Sequence, residues 1–162
     1  MSGEQVTLRD SVRGEDARIV REITESTGFF FPGEVDTAVE LVEERLSKGP
    51  RSGYHFLFAE SGGKTVGYCA YGPIACTQAS FDMYWIVVAK EHRGRGLGTL
   101  LIDACERAIS SLGGKRIYVE TSSRKLYDPT RAFYRSRGYS EAAVLEDFYG
   151  PGDAKVIYLK LV

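Results

Sequence analysis

Midway along the chain stands Trp85-Ile86-Val87-Val88-Ala89-Lys90-Glu91-His92-Arg93-Gly94-Arg95-Gly96-Leu97-Gly98-Thr99-Leu100-Leu101. Here two arginines are set among three glycines. Gly94, Gly96 and Gly98 put no Cβ between the backbone and an approaching group. A helix starting here presents unpaired N–H groups and a partial positive charge, so an anion can rest against it. Arg93 and Arg95 add full charges. The stretch predicts a phosphate-sized anion site where a strand meets a helix. Two nucleotide readings fail on spacing. A Walker loop needs Lys-Ser/Thr after its last glycine, and Leu97-Gly98-Thr99 has no lysine. The dinucleotide fingerprint needs Gly-x-Gly-x-x-Gly, and Thr99 occupies the place of its third glycine.

Other side chains could move protons. Asp82 lies on a predicted strand from Phe81 to Ala89, where alternation puts Asp82, Tyr84, Ile86 and Val88 on one face. Glu120 lies on the next predicted strand, Arg116 to Thr121. For each carboxylate two roles are open: proton acceptor, or solvated or ion-paired strand-end charge. Cys69, Cys76 and Cys105 are odd in number and far apart, which predicts reduced thiols and a cytoplasmic location. Cys105 reads as core and Cys76 as a loop bystander. His55 and His92 lack zinc-ligand spacing, so no metal is expected.

These residues need elements to hold them. Leu97, Leu100, Leu101, Ala104, Ala108 and Leu112 recur with a helical period up to Gly113-Gly114. Strand, crossover helix and strand then make a right-handed parallel unit. Upstream, the pattern predicts a strand at Val6–Asp10, a helix from Gly14-Glu15-Asp16 to Thr27-Gly28 and an aromatic loop, Phe29-Phe30-Phe31-Pro32. A second helix follows from Val35 to Lys48, with Val35, Val39, Val42 and Leu46 on one face. Strands at 54–60 and 65–71 flank the hairpin signal Ser61-Gly62-Gly63-Lys64. Downstream, Asp128-Pro129 reads as an N-cap and first helical proline for a short helix, Thr130 to Arg137. Two strands close the chain around Gly150-Pro151-Gly152-Asp153.

Lys+Arg 21 against Asp+Glu 22 in 162 residues gives a net charge of −1. That balance gives no reason to expect nucleic acid or an anionic membrane as partner. No apolar run is long enough to span a bilayer, and the polar opening Met1–Gln5 predicts no secretory signal. No repeat or linker interrupts the pattern, so residues 1–162 are expected to form one mixed α/β domain.

The turn Arg93-x-x-Gly96-x-Gly98, after an apolar strand and opening a helix, resembles the coenzyme A pyrophosphate loop of the GNAT superfamily of N-acetyltransferases. The element order β-α-α-β-β-β-α-β-α-β-β is also that family's, and the likeness is most specific from Phe81 to Tyr139. The resemblance implies an α/β (α+β) fold whose mixed central sheet splays into a V, with helices on both faces. It implies acetyl-CoA as co-substrate. The strand backbone at Val87 and Val88 would pair with the pantetheine amides. The backbone at Arg93, Gly94, Arg95, Gly96, Leu97, Gly98 and Thr99 would hold the pyrophosphate. Phe133-Tyr134 followed by Gly138-Tyr139 is similar to the family segment whose tyrosine faces the coenzyme sulfur, which makes Tyr134 the expected proton donor. Asp82 falls where some members carry a glutamate base, with Glu120 as second choice, and some relatives use ordered water instead. The sequence departs from the family in two places. Val88-Ala89-Lys90 replaces a common Val-x-Pro, and Tyr127 stands where many members carry Asn. Arg124, Lys125 and Arg131 would be available to the adenosine 3′-phosphate, or form a solvated face. The implied reaction is acetyl transfer to a primary amine of a small molecule or peptide, by a monomer or homodimer. The alternatives are a non-catalytic acyl-CoA-binding module and an O-acyltransferase.

Overall fold

The structure is a computed structural model that describes residues 5–162. Met1–Glu4, most of the polar opening, lie outside the described residues. Among these residues seven strands form one mixed sheet in the order β1-β2-β3-β4-β5-β7-β6, accompanied by four α-helices. The strands are β1 Thr7–Arg9, β2 His55–Ser61, β3 Lys64–Pro73, β4 Ser80–Val88, β5 Arg116–Ser122, β6 Ser140–Gly150 and β7 Asp153–Leu161. The helices are α1 Asp16–Ser26, α2 Pro32–Lys48, α3 Leu97–Ser111 and α4 Asp128–Ser136. Two compact units emerge, one holding the chain to Gly72 with Trp85–Ala108, the other Pro73–Tyr84 with Ile109–Val162.

In the first unit, antiparallel β1, β2 and β3 carry α1 and α2. Val20 and Ile23 of α1, Ala38, Val39 and Val42 of α2, Phe56 and Phe58 of β2, and Tyr68 and Ala70 of β3 form one apolar cluster with Val87 and Ala89. Leu46, expected on the buried face of α2, is exposed. The helix begins three residues earlier than its apolar pattern, because Pro32 is compatible with a first turn and the Glu34 side chain accepts from the Phe31 N–H at 2.7 Å. The β2–β3 hairpin is tighter than its signal: Ser61 pairs with Lys64, and the turn is Gly62-Gly63, both at positive φ. Asp16 is fully buried at the start of α1, where Arg9 of β1 pairs with both its oxygens at 2.8 and 2.9 Å. A buried carboxylate is tolerated only when paired in this way.

In the second unit, β4 runs parallel to β5 in register from Ser80–Arg116 to Asp82–Tyr118; the strand continues beyond the last registered pair, and its Trp85–Val88 belong to the first unit. β5 pairs antiparallel with β7 along its whole length, and β7 with β6. The alternation has a direct result. Phe81, Ile117, Val119, Thr121, Val156 and Tyr158 are buried, while Asp82, Glu120 and Lys155 fall on the opposite face. Helix α3 buries more than its predicted stripe, since Ile102, Cys105 and Ile109 are fully inaccessible; Leu112 lies past its end and is 52% exposed. Asp128 is the first residue of α4, not its cap; its backbone is already helical and its carboxylate pairs with Arg131.

Gly67 of β3 fixes how closely β4 approaches. A Cβ there would lie 3.0 Å from the Val87 carbonyl oxygen and 3.2 Å from Leu101 Cδ1. Gly67→Ala should therefore cost about 1–3 kcal/mol in urea unfolding; an unchanged midpoint would show that the Val87–Val88 backbone has room to move.

Candidate active site

The glycine turn joins β4 to α3, as the sequence pattern proposes. A short 3₁₀ turn, Lys90–His92, ends β4's excursion, and Gly94 and Gly96 then take φ of 74° and 77°. Those values lie in the left-handed region that side chains with a Cβ rarely adopt. Gly96 contributes its carbonyl to the first bond of α3, accepting from the Leu100 N–H at 3.0 Å. The N–H groups of Leu97, Gly98 and Thr99 are therefore first-turn donors with no carbonyl behind them in the helix. A Cβ placed on Gly94 or Gly96 would meet nothing within 4 Å, so the outer side of the turn is clear.

Two contacts from the α1–α2 connection brace this loop. The Arg93 guanidinium lies 4.5 Å over the Phe29 ring, and burial lowers its pKa. Ser26 Oγ accepts from the Lys90 N–H at 3.3 Å. The aromatic loop thus divides its labour. Phe29 stacks under Arg93, Phe30 packs edge-on against Trp85 at 5.1 Å, and Phe31 is 61% exposed.

The second unit gathers both sequence-predicted carboxylates. Burial, with Glu120's charge second, pushes the Asp82 pKa from 3.8 up to about 6, while Lys155's charge opposes the rise. Lys155 Nζ is 2.9 Å from Glu120 Oε2 and sits 3.7 Å from the Phe148 ring centroid. Glu120 is consequently an ion-paired group, and Asp82 holds its proton to a higher pH than an ordinary carboxyl. Tyr134 of α4 is 6% exposed and packs in a cluster with Tyr139 at 5.7 Å and Tyr158 at 6.0 Å.

The cationic trio proposed for a phosphate is largely engaged within the protein. Arg131 donates to the Ser122 and Arg124 carbonyls and pairs with Asp128. Arg124 is 3.4 Å from Asp153 and lies over the Tyr127 ring. Lys125 is exposed. Cys69 and Cys105 are buried and Cys76 is exposed, all as free thiols. Among the described residues no three His, Cys, Asp or Glu side chains gather as a metal site, and no helix is long and apolar enough to cross a membrane.

A family model described as an acetyltransferase (GNAT) domain matches residues 52–141. A solved structure from Desulfovibrio desulfuricans, assigned to the GNAT acetyltransferase family, is 43% identical over 97% of this chain and 99% of its own, with a TM-score of 0.95. This chain belongs to the GNAT acetyltransferase family. Its fold is shared with more distant members. An aminoglycoside 6′-N-acetyltransferase complexed with coenzyme A is 20% identical at a TM-score of 0.77, covering 97% of this chain and 96% of its own. The ribosomal-protein-S18-alanine N-acetyltransferase of Escherichia coli is 17% identical at 0.77, covering 98% and 94%. No curated protein sequence matches at a significant level.

Sequence reasoning on this GNAT chain missed Lys155, Gly67 and the bracing role of Phe29. Lys155 carried a partial signal: it alternates with buried Ala154 and Val156, which puts it on the opposite, less buried face of its strand.

The raised Asp82 pKa has a consequence for stability. Unfolded, the group loses its proton near 3.8; folded, it holds the proton to about 6. Stability contributed by the folded-state proton is full at low pH and is lost as pH rises through about 6. Asp82→Asn should raise the melting temperature at about pH 7.5 and leave it nearly unchanged at about pH 4. Equal effects at both values would place the Asp82 carboxyl in its ordinary range.

Proposed function

We propose that this chain is an N-acetyltransferase that passes the acetyl group of acetyl-CoA directly to a primary amine of a small molecule or peptide, within one ternary complex. The observation that carries the reading is the glycine turn: left-handed backbone at Gly94 and Gly96, an unobstructed outer side, and first-turn amides at Leu97, Gly98 and Thr99. Such donors suit a diphosphate, because the helix field and the N–H groups both favour negative charge. The backbone of Arg93, Gly94, Arg95 and Gly96 would complete the cradle, with Arg93 and Arg95 supplying charge. Val87 and Val88, on the part of β4 beyond its registered pairing with β5, would offer backbone partners to the pantetheine amides.

The chemistry needs two proton movements. An acceptor ammonium must lose a proton before its nitrogen can attack the thioester carbonyl carbon. Asp82 is the group whose affinity suits that task, with Glu120 as the second candidate. As the new C–N bond forms and the C–S bond breaks, the departing sulfur carries negative charge. The Tyr134 hydroxyl would supply its proton. Two fold relatives are named for acetylating an aminoglycoside and a protein alanine, and both acceptors are amines. That supports an amine acceptor here and leaves small-molecule and peptide substrates equally served. The exposed Phe31, the 74–79 loop and Phe148–Tyr149 would provide the variable surface that selects between them.

A screen of primary amines with acetyl-CoA, read as free thiol and followed by product mass, tests this. Amine-dependent thiol release with an N-acetyl product is expected. Acyl-CoA binding without release would make the chain a binding module, and an ester product would make it an O-acyltransferase. Tyr134→Phe should lower kcat by about 100-fold or more with little change in acetyl-CoA affinity; equal turnover would remove Tyr134 from the chemistry. Gly96→Glu, by contrast, should abolish coenzyme binding in calorimetry while circular dichroism stays native, because it sets a strained, negative side chain in the cradle.

A further inference from the structure

The final hairpin holds a cation in an unusual place. β6 and β7 are paired as far as Leu145–Lys155, with one register shift between Glu141 and Ala143, and rejoin only at Gly150–Asp153. The intervening residues bulge from the ladder, with Asp147 at a φ of 54° and its Oδ1 accepting from the Gly152 N–H at 2.8 Å. The bulge sets Phe148 and Tyr149 edge-to-face, 5.1 Å apart, above the Lys155 ammonium. Beneath them Glu120 closes the clamp, one diagonal step from Lys155 across β5 and β7. The Lys155 side chain is only 13% exposed, while its partners Glu120 and Phe148 are each about half exposed.

We propose that Lys155 is a positioning residue for the acceptor's proton: clamped between Glu120 and Phe148, its ammonium neutralises Glu120 and leaves Asp82 as the carboxylate free to take that proton. This rests on the proposed amine-acetylating function. Two carboxylates sharing a sheet face resist ionising together, and an added cation decides which of them carries the charge. The charged groups acting on Asp82 are Glu120 from β5, which raises its proton affinity, and Lys155 from β7, which lowers it; Tyr118 is its register partner on β5. With the ammonium in place Glu120 is paired with a cation at 2.9 Å. Asp82 is then basic enough to take a proton near neutrality and acidic enough to be empty when the amine arrives. The proton moves from the acceptor nitrogen to an Asp82 oxygen, and from there to solvent.

The test is a carbon-13 titration of the side-chain carboxyls in the free protein, with Lys155→Gln, Lys155→Arg and Phe148→Leu beside the parent. Lys155→Gln should raise the Asp82 midpoint by about one pH unit. Lys155→Arg should restore it, since the charge returns. Phe148→Leu, which keeps the charge but loosens the clamp, should raise it by less, and it serves if Lys155→Gln fails to fold. An Asp82 midpoint unmoved in both Lys155→Gln and Phe148→Leu, or in whichever of them folds, would overturn the proposal. The best amine from the thiol-release screen then separates this inference from the one it rests on. If the midpoint moves but Asp82→Asn keeps full thiol release at every pH, Lys155 controls Asp82 yet Asp82 is not the base. If Asp82→Asn removes the acidic limb of the rate profile and Lys155→Gln does not shift it, the base stands and the role of Lys155 fails.

Discussion

The chain must leave β4, turn sharply and enter α3 with its first amides uncovered. A left-handed backbone does this at Gly94 and again at Gly96, and the same two residues keep the space outside the turn clear of side chains. Any Cβ there would be strained before it met a ligand. The rest of the first unit holds that turn still. Val87 and Ala89 are sunk in the apolar cluster, the Ala89 N–H donates to the Val66 carbonyl at 2.9 Å, and Leu97 and Leu101 anchor the first turns of α3. Phe29 and Ser26 add a brace from the α1–α2 connection. An anion site made of backbone loses no rotamer entropy when it binds, so its rigidity comes from packing around it.

The second unit solves a different electrostatic problem. It holds Asp82 and Glu120 on one sheet face, where water is partly excluded and like charges disfavour each other. Lys155 resolves the conflict unequally, because it reaches Glu120 at 2.9 Å and acts on Asp82 only through the field. Glu120 is about half exposed, so the pair itself adds little stability, and in the proposal above its part is to set the field at Asp82. The same economy holds around Asp16, whose buried carboxylate is tolerable only because Arg9 meets both its oxygens.

Much of this was legible in the sequence where the cause is local. The glycine turn, the strand before it and the helix after it depend on neighbours a few residues apart, and period and residue type suffice to place them. Alternation along β4 also put Asp82 on the less buried face. What escaped depends on register. Lys155 meets Glu120 through a diagonal step between strands far apart in the chain, and Gly67 matters because of where the Val87 carbonyl falls. The Asp128-Pro129 signal failed for a physical reason as well. A 3₁₀ turn at Lys125–Tyr127 runs directly into α4, so the first orphan amides are not capped by Asp128, and its carboxylate serves Arg131 instead. Arg124 and Arg131 likewise looked like a surface charge cluster until the fold turned them toward the Ser122–Arg124 backbone and Asp153.

Under the proposed function the two halves of the chemistry would be built from different materials. Coenzyme recognition would fall to backbone, which a substitution can damage but hardly retune. Acceptor recognition would fall to side chains that the core does not need: Phe31, Phe148 and Tyr149 are all about half exposed or more. A residue that contributes little to packing can change identity at little cost to stability, usually within about half a kcal/mol. A fold so divided can keep one donor while its acceptor drifts. In this chain the drift has a limit, since Phe148 also covers Lys155. Under the proposed function, a change there would alter the acceptor surface and the charge balance at Asp82 together, which would tie specificity to the proton chemistry at a single aromatic ring.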